Sequence, residues 1–433
     1  MKFIIETYGC QMNVADSEMI STIMENSGYE LTDTLTDADI IMFNTCSVRQ
    51  HAEDRVIGRI SNEVARKISN KNLVIGVVGC MAQRLGKELG EMNAKIDFVV
   101  GVDNYFKLPE IIEELYNKRH FVTSVDMNHK EIYHDIYPIR SNELNAFVTI
   151  MRGCNNFCTY CIVPYVRGRE RSRSVDEIIK EIKIAGEKGI KEVTLLGQNV
   201  NSYSWEGINF PKLLQKVNEV EGISRVRFVT SHPKDISDEL IETMASCDKV
   251  CEHIHLPVQS GNNEILKVMN RNYTAEHYLD RISKLRSLIP NIAITTDVIA
   301  GFPGETEEQF QDTYNLMKEI RYDFAFMFKY SPRTGTKAAE FNNQVEEAVR
   351  LERLQRLIGL QTEITHEKYK EQIGQIKEVY VEGPSKKDEN EYSGKSRDFK
   401  ITIFPGDESL VGKLIKVKVK EAVGWTLKGH IVE

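Results

Sequence analysis

The 433-residue chain carries 56 basic and 64 acidic side chains, a net charge of -8, with 41% hydrophobic and 28% charged residues. This length exceeds what one hydrophobic core usually serves, which predicts two or three domains, and the apolar content excludes a disordered chain. The charge argues against a general nucleic-acid coat. No apolar run approaches the roughly 18 to 20 residues that span a bilayer and no leader pattern is seen, so a soluble, unexported, cytoplasmic protein is expected, with no membrane partner.

Residues 1–118 alternate short apolar runs with helix-period segments. Strands are predicted over Lys2 to Thr7, Asp39 to Asn44, Leu73 to Val78 and Asp97 to Val100. Helices are predicted near Ser17 to Asn26, His51 to Lys67 and Phe106 to Tyr116. This is the pattern of an open α/β domain of the doubly wound type, in which the carboxyl ends of the strands converge on one ligand-binding edge. Cys10, Cys46 and Cys80 each follow one of those strands, so three cysteines far apart in sequence are expected to meet. One such thiol would suit a core; three at strand ends suit a shared metal site. The options are a four-iron cluster with one iron open, zinc, or a redox trio. Eight cysteines in no pairwise pattern fit a reducing compartment better than disulfides.

A polar linker carrying Pro138 is expected over 119–145. In 146–370, strands are predicted at Phe147 to Met151, Glu192 to Leu196, Arg225 to Thr230, Glu252 to Leu256, Ile292 to Ile299 and Asp323 to Lys329. Capping boxes Ser174-Val-Asp-Glu177 and Thr306-Glu-Glu-Gln309 mark helix starts. Six such units form a partial (β/α)6 barrel with its chemistry at the strands' carboxyl ends. Directly after the first strand stands Cys154-Asn-Asn-Phe-Cys158-Thr-Tyr-Cys161, three thiolates able to hold three irons of a four-iron cluster and leave the fourth open. Structural zinc closes with four ligands, and the nearest fourth candidate, His134, stands at no common zinc spacing.

Arg152, Arg167, Arg169, Arg171 and Arg173 surround this motif. They suit phosphates or carboxylates, or else form a solvated loop paired with Glu170 and Asp176. Turns at Gly197-Gln198-Asn199, Gln259-Ser260-Gly261 and Asp297 to Glu305 follow later strands and line the same face, unless they are loop punctuation. One long helix is predicted from Ala338 to Lys370. Residues 373–433 then read as a small antiparallel β-barrel, with strands at Ile376 to Val381, Ser396 to Phe404, Leu414 to Lys420 and Gly429 to Val432. Its 11 basic and 10 acidic residues suit either RNA or a protein contact.

The Cys154–Cys161 run resembles the signature of radical S-adenosylmethionine (SAM) enzymes. With Tyr8-Gly9-Cys10-Gln11-Met12-Asn13, Asn44-Thr45-Cys46-Ser47-Val48-Arg49 and Leu195-Leu196-Gly197-Gln198-Asn199-Val200-Asn201, nearly the whole chain is similar to the MiaB-type branch of the radical SAM methylthiotransferases. That resemblance implies an N-terminal domain with an auxiliary 4Fe-4S cluster on Cys10, Cys46 and Cys80, and a SAM-binding 4Fe-4S cluster on Cys154, Cys158 and Cys161. It also implies a TRAM-like C-terminal barrel. The implied reaction converts N6-isopentenyladenosine beside the tRNA anticodon to its 2-methylthio derivative. A 5′-deoxyadenosyl radical takes the C2 hydrogen and a methylated sulfur comes from the auxiliary cluster. The two trios are then expected to face one cavity. Gln198, Ser260 and Asp297 are candidate SAM contacts. Gln11, Asn13, Arg167 and Arg169 are candidate substrate groups, adjoining the ligating cysteines. No catalytic acid or base is assigned, and Cys247 and Cys251 read as buried thiols.

Implied partners are a tRNA anticodon stem-loop, an electron donor and proteins that supply sulfur or iron–sulfur clusters, with the chain itself a monomer. The alternatives are a sister enzyme acting on a ribosomal-protein aspartate or on threonylcarbamoyladenosine in tRNA, or a metal-containing RNA-binding module. The aspartate-modifying branch typically carries Gly-Cys-Pro-Lys-Asn at the first cysteine, a pattern this chain lacks.

Overall fold

A computed structural model describes residues 1–47, 50–92, 95–128, 131–138, 140 and 144–432. Val48 and Arg49 of the second cysteine motif lie outside them. The chain forms two compact units: Met1–Phe157 with Cys161–Glu181 and Leu195–Gln198, and Cys158–Tyr160 with Ile182–Thr194 and Asn199–Glu433.

The first unit is built on a six-stranded parallel sheet, in the order Glu30–Leu31, Lys2–Tyr8, Ile40–Thr45, Val74–Gly79, Phe98–Val100, Val122–Ser124. Ile40–Thr45 and Val74–Gly79 are buried at every position, as strands covered on both faces must be. Alternation then sends Ile40, Met42, Val74 and Val78 into one core with Met19, Ile20 and Ile112. Ile41, Phe43, Ile75 and Val77 enter another core with Ile60 and Val64. The chain order of the strands is 2-1-3-4-5-6, so the direction of winding switches between the Lys2–Tyr8 and Ile40–Thr45 strands, where such sheets bind ligands.

Several elements depart from the sequence expectation. The first helix runs Gln11–Asn26 rather than from Ser17. Its opening turns bury Asn13 and Asp16, polar residues that hide the helical periodicity. Cys80–Leu85 and Lys87–Met92 are short helices. Within the expected linker, Val122–Ser124 completes the sheet and Tyr133 enters its core, 1% exposed, with its hydroxyl donating to the Val102 carbonyl at 2.7 Å. This unit also holds the strand Asn145–Thr149 and the end of Glu192–Leu196, tied by Ile150 N–H to the Leu196 carbonyl at 2.9 Å.

In the second unit, His253–His255, Ala293–Ala300 and Phe324–Lys329 form a parallel three-stranded sheet. An isolated parallel bridge, Val226 to Val250, joins Arg225–Phe228 to the loop before His253. All six expected strands are therefore present, grouped by threes rather than in one continuous ladder. Thr306 caps Glu307–Ile320 with the complete reciprocal box. The expected helix from Ala338 is a short 3-10 turn, Lys337–Glu340, then a break, then the helix Glu347–Lys370. After it comes a closed five-stranded barrel, in the order Ile376–Pro384, Glu391–Ser396, Ile401–Pro405, Thr426–Val432, Leu414–Val423. The run Ser396 to Phe404 is not one strand, because Phe399 takes a left-handed φ of 63° in the turn between two.

This barrel is fastened to the rest of its unit by buried charge. Arg225, fully buried, donates to the Lys395 carbonyl at 2.8 Å and the Glu378 carbonyl at 2.9 Å. Arg227 donates to the carbonyls of Arg397 at 3.0 Å and Ser396 at 2.8 Å. Lys400 bridges Asp323 at 2.9 Å and Asp398 at 3.0 Å, while Lys368 and Lys377 take one of these carboxylates each, both at 3.0 Å. Among the described residues, no helix is long and apolar enough to cross a membrane.

Candidate metal centre

Cys10, Cys46 and Cys80 leave three adjacent strands almost level. Tyr8 stands opposite Thr45, and Thr45 opposite Gly79. With neighbouring strands roughly 4.8 Å apart, the cysteines one or two residues further on share one edge. Gly79 has φ 92° and ψ -158°, and a Cβ there would lie 2.4 Å from Asn44 Oδ1 and 2.8 Å from the Thr45 carbonyl. That turn delivers Cys80 and is closed to other residues. Cys10 caps the Gln11–Asn26 helix, whose free N–H groups and dipole favour a thiolate. The hydrogen bond with Cys46 brings the Cys10 thiol down to about 6; burial opposes this and the Arg167 charge assists. Burial pushes Cys80 up, against the pull of Arg167.

Four of the five arginines depart from both readings of the basic run. Arg152, Arg167, Arg171 and Arg173 are buried, neither free for phosphate nor solvated. Arg152 and Arg167 share Asp16 at 2.8 and 2.7 Å; Arg171 takes Asp103 at 2.9 Å and Arg173 takes Glu181 at 2.6 Å. Arg169 is exposed and lies over the Phe157 ring, 4.3 Å from its centroid. Arg167, expected on the substrate side, donates Nε–H to Cys80 Sγ at 3.1 Å. Asn13 lies beside Cys10. Fully buried, it donates to Asn44 Oδ1 at 2.9 Å, and its Oδ1 accepts from Cys10 N–H at 3.4 Å, so it holds the first cysteine against the second cysteine's strand. Gln11 is exposed beside Cys10.

Of the second trio, Cys154 and Cys161 belong to the first unit and Cys158 to the second. Gly153, at φ 79°, places Cys154, whose N–H donates to the Gly168 carbonyl at 3.1 Å; a Cβ on Gly153 would lie 2.0 Å from the Arg169 carbonyl. The Gly153 N–H donates to Gln198 Oε1, which turns that side chain toward the cysteine motif. Directly behind Cys161, Ile162 and Val166 pack in the same core as Cys80. In the second unit, Arg271, 5% exposed, donates to Cys158 Sγ at 3.6 Å and to the Pro257 carbonyl at 2.7 Å. Neither Arg271 nor Asp16 carries a local sequence signal, since each is defined by a partner more than a hundred residues away. His134 pairs with Glu177 at 2.7 Å. Cys247 and Cys251 are buried.

Ser260 is fully buried and its hydroxyl is engaged with Thr313 Oγ1 and the Asn262 N–H, both at 3.2 Å, which builds its turn. Asp297 is partly exposed, with His255 Nε2 3.5 Å from its carboxylate. Among the described residues no three His, Cys, Asp or Glu side chains converge as on a single ion. A four-iron cluster takes one thiolate per iron and spreads its ligands further. The donor set fits such a group: soft thiols suit iron–sulfur chemistry, and beside them Arg167 Nη1 is a buried donor with no partner.

Three family profiles match the chain: the radical SAM superfamily over residues 148–317, the uncharacterized protein family UPF0004 over 2–101, and the TRAM domain over 370–432. It is 53% identical to the tRNA-2-methylthio-N(6)-dimethylallyladenosine synthase of Thermoanaerobacter sp., over 99% of this chain and 92% of that protein. It is 48% identical to the synthase of that name from Moorella thermoacetica, over 100% and 98%. The fold is similar to the radical SAM methyltransferase TsrM of Kitasatospora setae, solved with cobalamin and a 4Fe-4S cluster (TM-score 0.60, 12% identity, 78% of this chain and 74% of that one). It is also similar to the cobalamin-dependent radical SAM enzyme OxsB (TM-score 0.55, 14% identity, 83% and 56%).

Proposed function

We propose that this chain, which belongs to the tRNA-2-methylthio-N(6)-dimethylallyladenosine synthase family, performs the reaction in that name, inserting a methylthio group at C2 of N6-isopentenyladenosine in tRNA. The cofactors of the family are SAM and two 4Fe-4S clusters. We assign Cys10, Cys46 and Cys80 to the auxiliary cluster and Cys154, Cys158 and Cys161 to the SAM-binding one. The domain assignment follows: 1–118 for the auxiliary cluster, 146–370 for the radical SAM core with its trailing helix, 373–433 for the TRAM barrel.

One observation carries the geometry. The arginine six residues beyond Cys161 donates to Cys80, so the chain leaving the second cysteine motif abuts the first trio. That closeness suits a reaction in which a sulfur held at one trio must reach a carbon activated at the other. The adenine C2–H bond offers no acid to a base, and the bound SAM and clusters supply the radical chemistry it needs. The protein's part is to hold six thiols, to keep Cys10 as thiolate through its helix terminus and Cys46, and to exclude water behind buried Arg152, Arg167 and Tyr105.

Exposed Gln11 and Arg169 are assigned to the substrate side, and Gln198 and Asp297 are each assigned as contacts to SAM. The partners are the anticodon stem-loop, an electron donor and a sulfur supply, and the protein acts as a cytoplasmic monomer. Anaerobic reconstitution with SAM and a short anticodon stem-loop, followed by mass spectrometry of the nucleosides, should yield the methylthio product from an isopentenylated RNA. Unchanged RNA, with a ribosomal protein or threonylcarbamoyladenosine modified instead, would defeat the reading.

A further inference from the structure

The Arg167 guanidinium is spread over three functions that its burial forces to be specific. Its Nε–H points at Cys80 Sγ at 3.1 Å, its Nη2 is held by Asp16 at 2.7 Å, and its Nη1 is buried with no partner. Asp16 is fully buried and also neutralises Arg152 at 2.8 Å, with the Tyr105 hydroxyl donating to it at 3.4 Å. Two guanidiniums therefore share one carboxylate, which leaves positive charge directed at the cysteines. A buried charge without a counterpart is costly, and a buried unsatisfied N–H adds to that cost. Both are relieved by an anionic group carried on the cysteines.

We infer that Arg167 is the positioning and charge-compensating residue of the Cys10–Cys46–Cys80 centre, donating to the Cys80 thiolate and, through Nη1, to the inorganic sulfide of the group those cysteines hold. This deepens the assignment of the trio as a cluster site and rests on it. Donation to the sulfurs retains the iron, and a fixed positive charge stabilises the reduced, more negative state, so it raises the reduction potential. The reduction is a one-electron transfer from an external donor such as dithionite, with no bond made or broken.

The test uses the full chain with Cys154, Cys158 and Cys161 changed to Ala, reconstituted anaerobically, so that one centre is read. Arg167→Gln should lose iron to a chelator roughly 10-fold faster, the scale on which partners of metal ligands act, and its potential, followed by electron paramagnetic resonance, should move to more negative values. Arg167→Lys should keep most of the potential, and Asp16→Asn should move it in the positive direction. Opposite signs for Arg167→Gln and Asp16→Asn cannot arise from a merely structural role. Normal iron uptake with potentials unmoved or moved alike in both variants would overturn the inference while leaving the cluster assignment standing. Absence of iron uptake in the Arg167-containing parent would remove both.

Discussion

Replacing Lys400 with Met tests how the C-terminal barrel is attached. Lys400 donates to Asp323 at 2.9 Å and to Asp398 at 3.0 Å from a site 3% exposed, and each charged hydrogen bond is worth about 1.5–3 kcal/mol. Met keeps the stem's packing, and Lys368 and Lys377 still face the two carboxylates, so the expected loss lies near the lower end for breaking a buried pair, about 3 kcal/mol at pH 7. Burial pushes both carboxyls up, but Lys400 with Lys368 overcomes it at Asp323, and Lys400 with Lys377 at Asp398, holding both below the usual carboxylate range. Groups depressed on folding contribute stability that is complete above the unfolded value, near 3.9, and is lost as pH falls through the folded one. The wild type should therefore lose stability between about pH 5 and pH 2, and the Met variant should lose less over that interval. Urea unfolding in a Trp205→Phe background, followed by the fluorescence of Trp425, which stands 5.8 Å from the Phe324 ring, reads the attachment. A loss under about 1 kcal/mol at pH 7, or equal acid sensitivity in both proteins, would refute the reasoning.

Further outcomes are expected. Arg225→Met removes donors to two barrel carbonyls and should cost about 3–5 kcal/mol, exposing the Gly374 junction to limited proteolysis. Gly153→Ala forces a side chain into a left-handed turn and against the Arg169 carbonyl; the turn alone costs about 1–3 kcal/mol, seen as a lowered melting temperature. Thr306→Ala breaks the capping box and should cost about 0.5–2 kcal/mol without changing iron content. Iron analysis of Cys46→Ala and Cys154→Ala should each show about half the iron of the reconstituted wild type.

The strands were legible because fully covered parallel strands are continuous apolar runs, as in Ile40–Thr45 and Glu192–Leu196. That Cys10, Cys46 and Cys80 share one edge was legible because parallel strands bring their carboxyl ends together. What escaped the sequence depends on distant partners. Arg167 and Arg171 look like surface charge until Asp16 and Asp103 are brought to them, and nothing near Asn13 in the chain announces its bond to Asn44. The turn at Phe399 was missed because a left-handed aromatic residue runs against intrinsic preference and is set by tertiary packing, here stacking on His253 at 4.6 Å.

The level row formed by Tyr8, Thr45 and Gly79 makes the thiol edge inseparable from the sheet beneath it. Slipping either buried strand, Ile40–Thr45 or Val74–Gly79, by one residue would exchange the side chains it sends to its two cores and carry its cysteine off the row in the same stroke. A chain that has folded this sheet has therefore already set the spacing between the three cysteines at its edge.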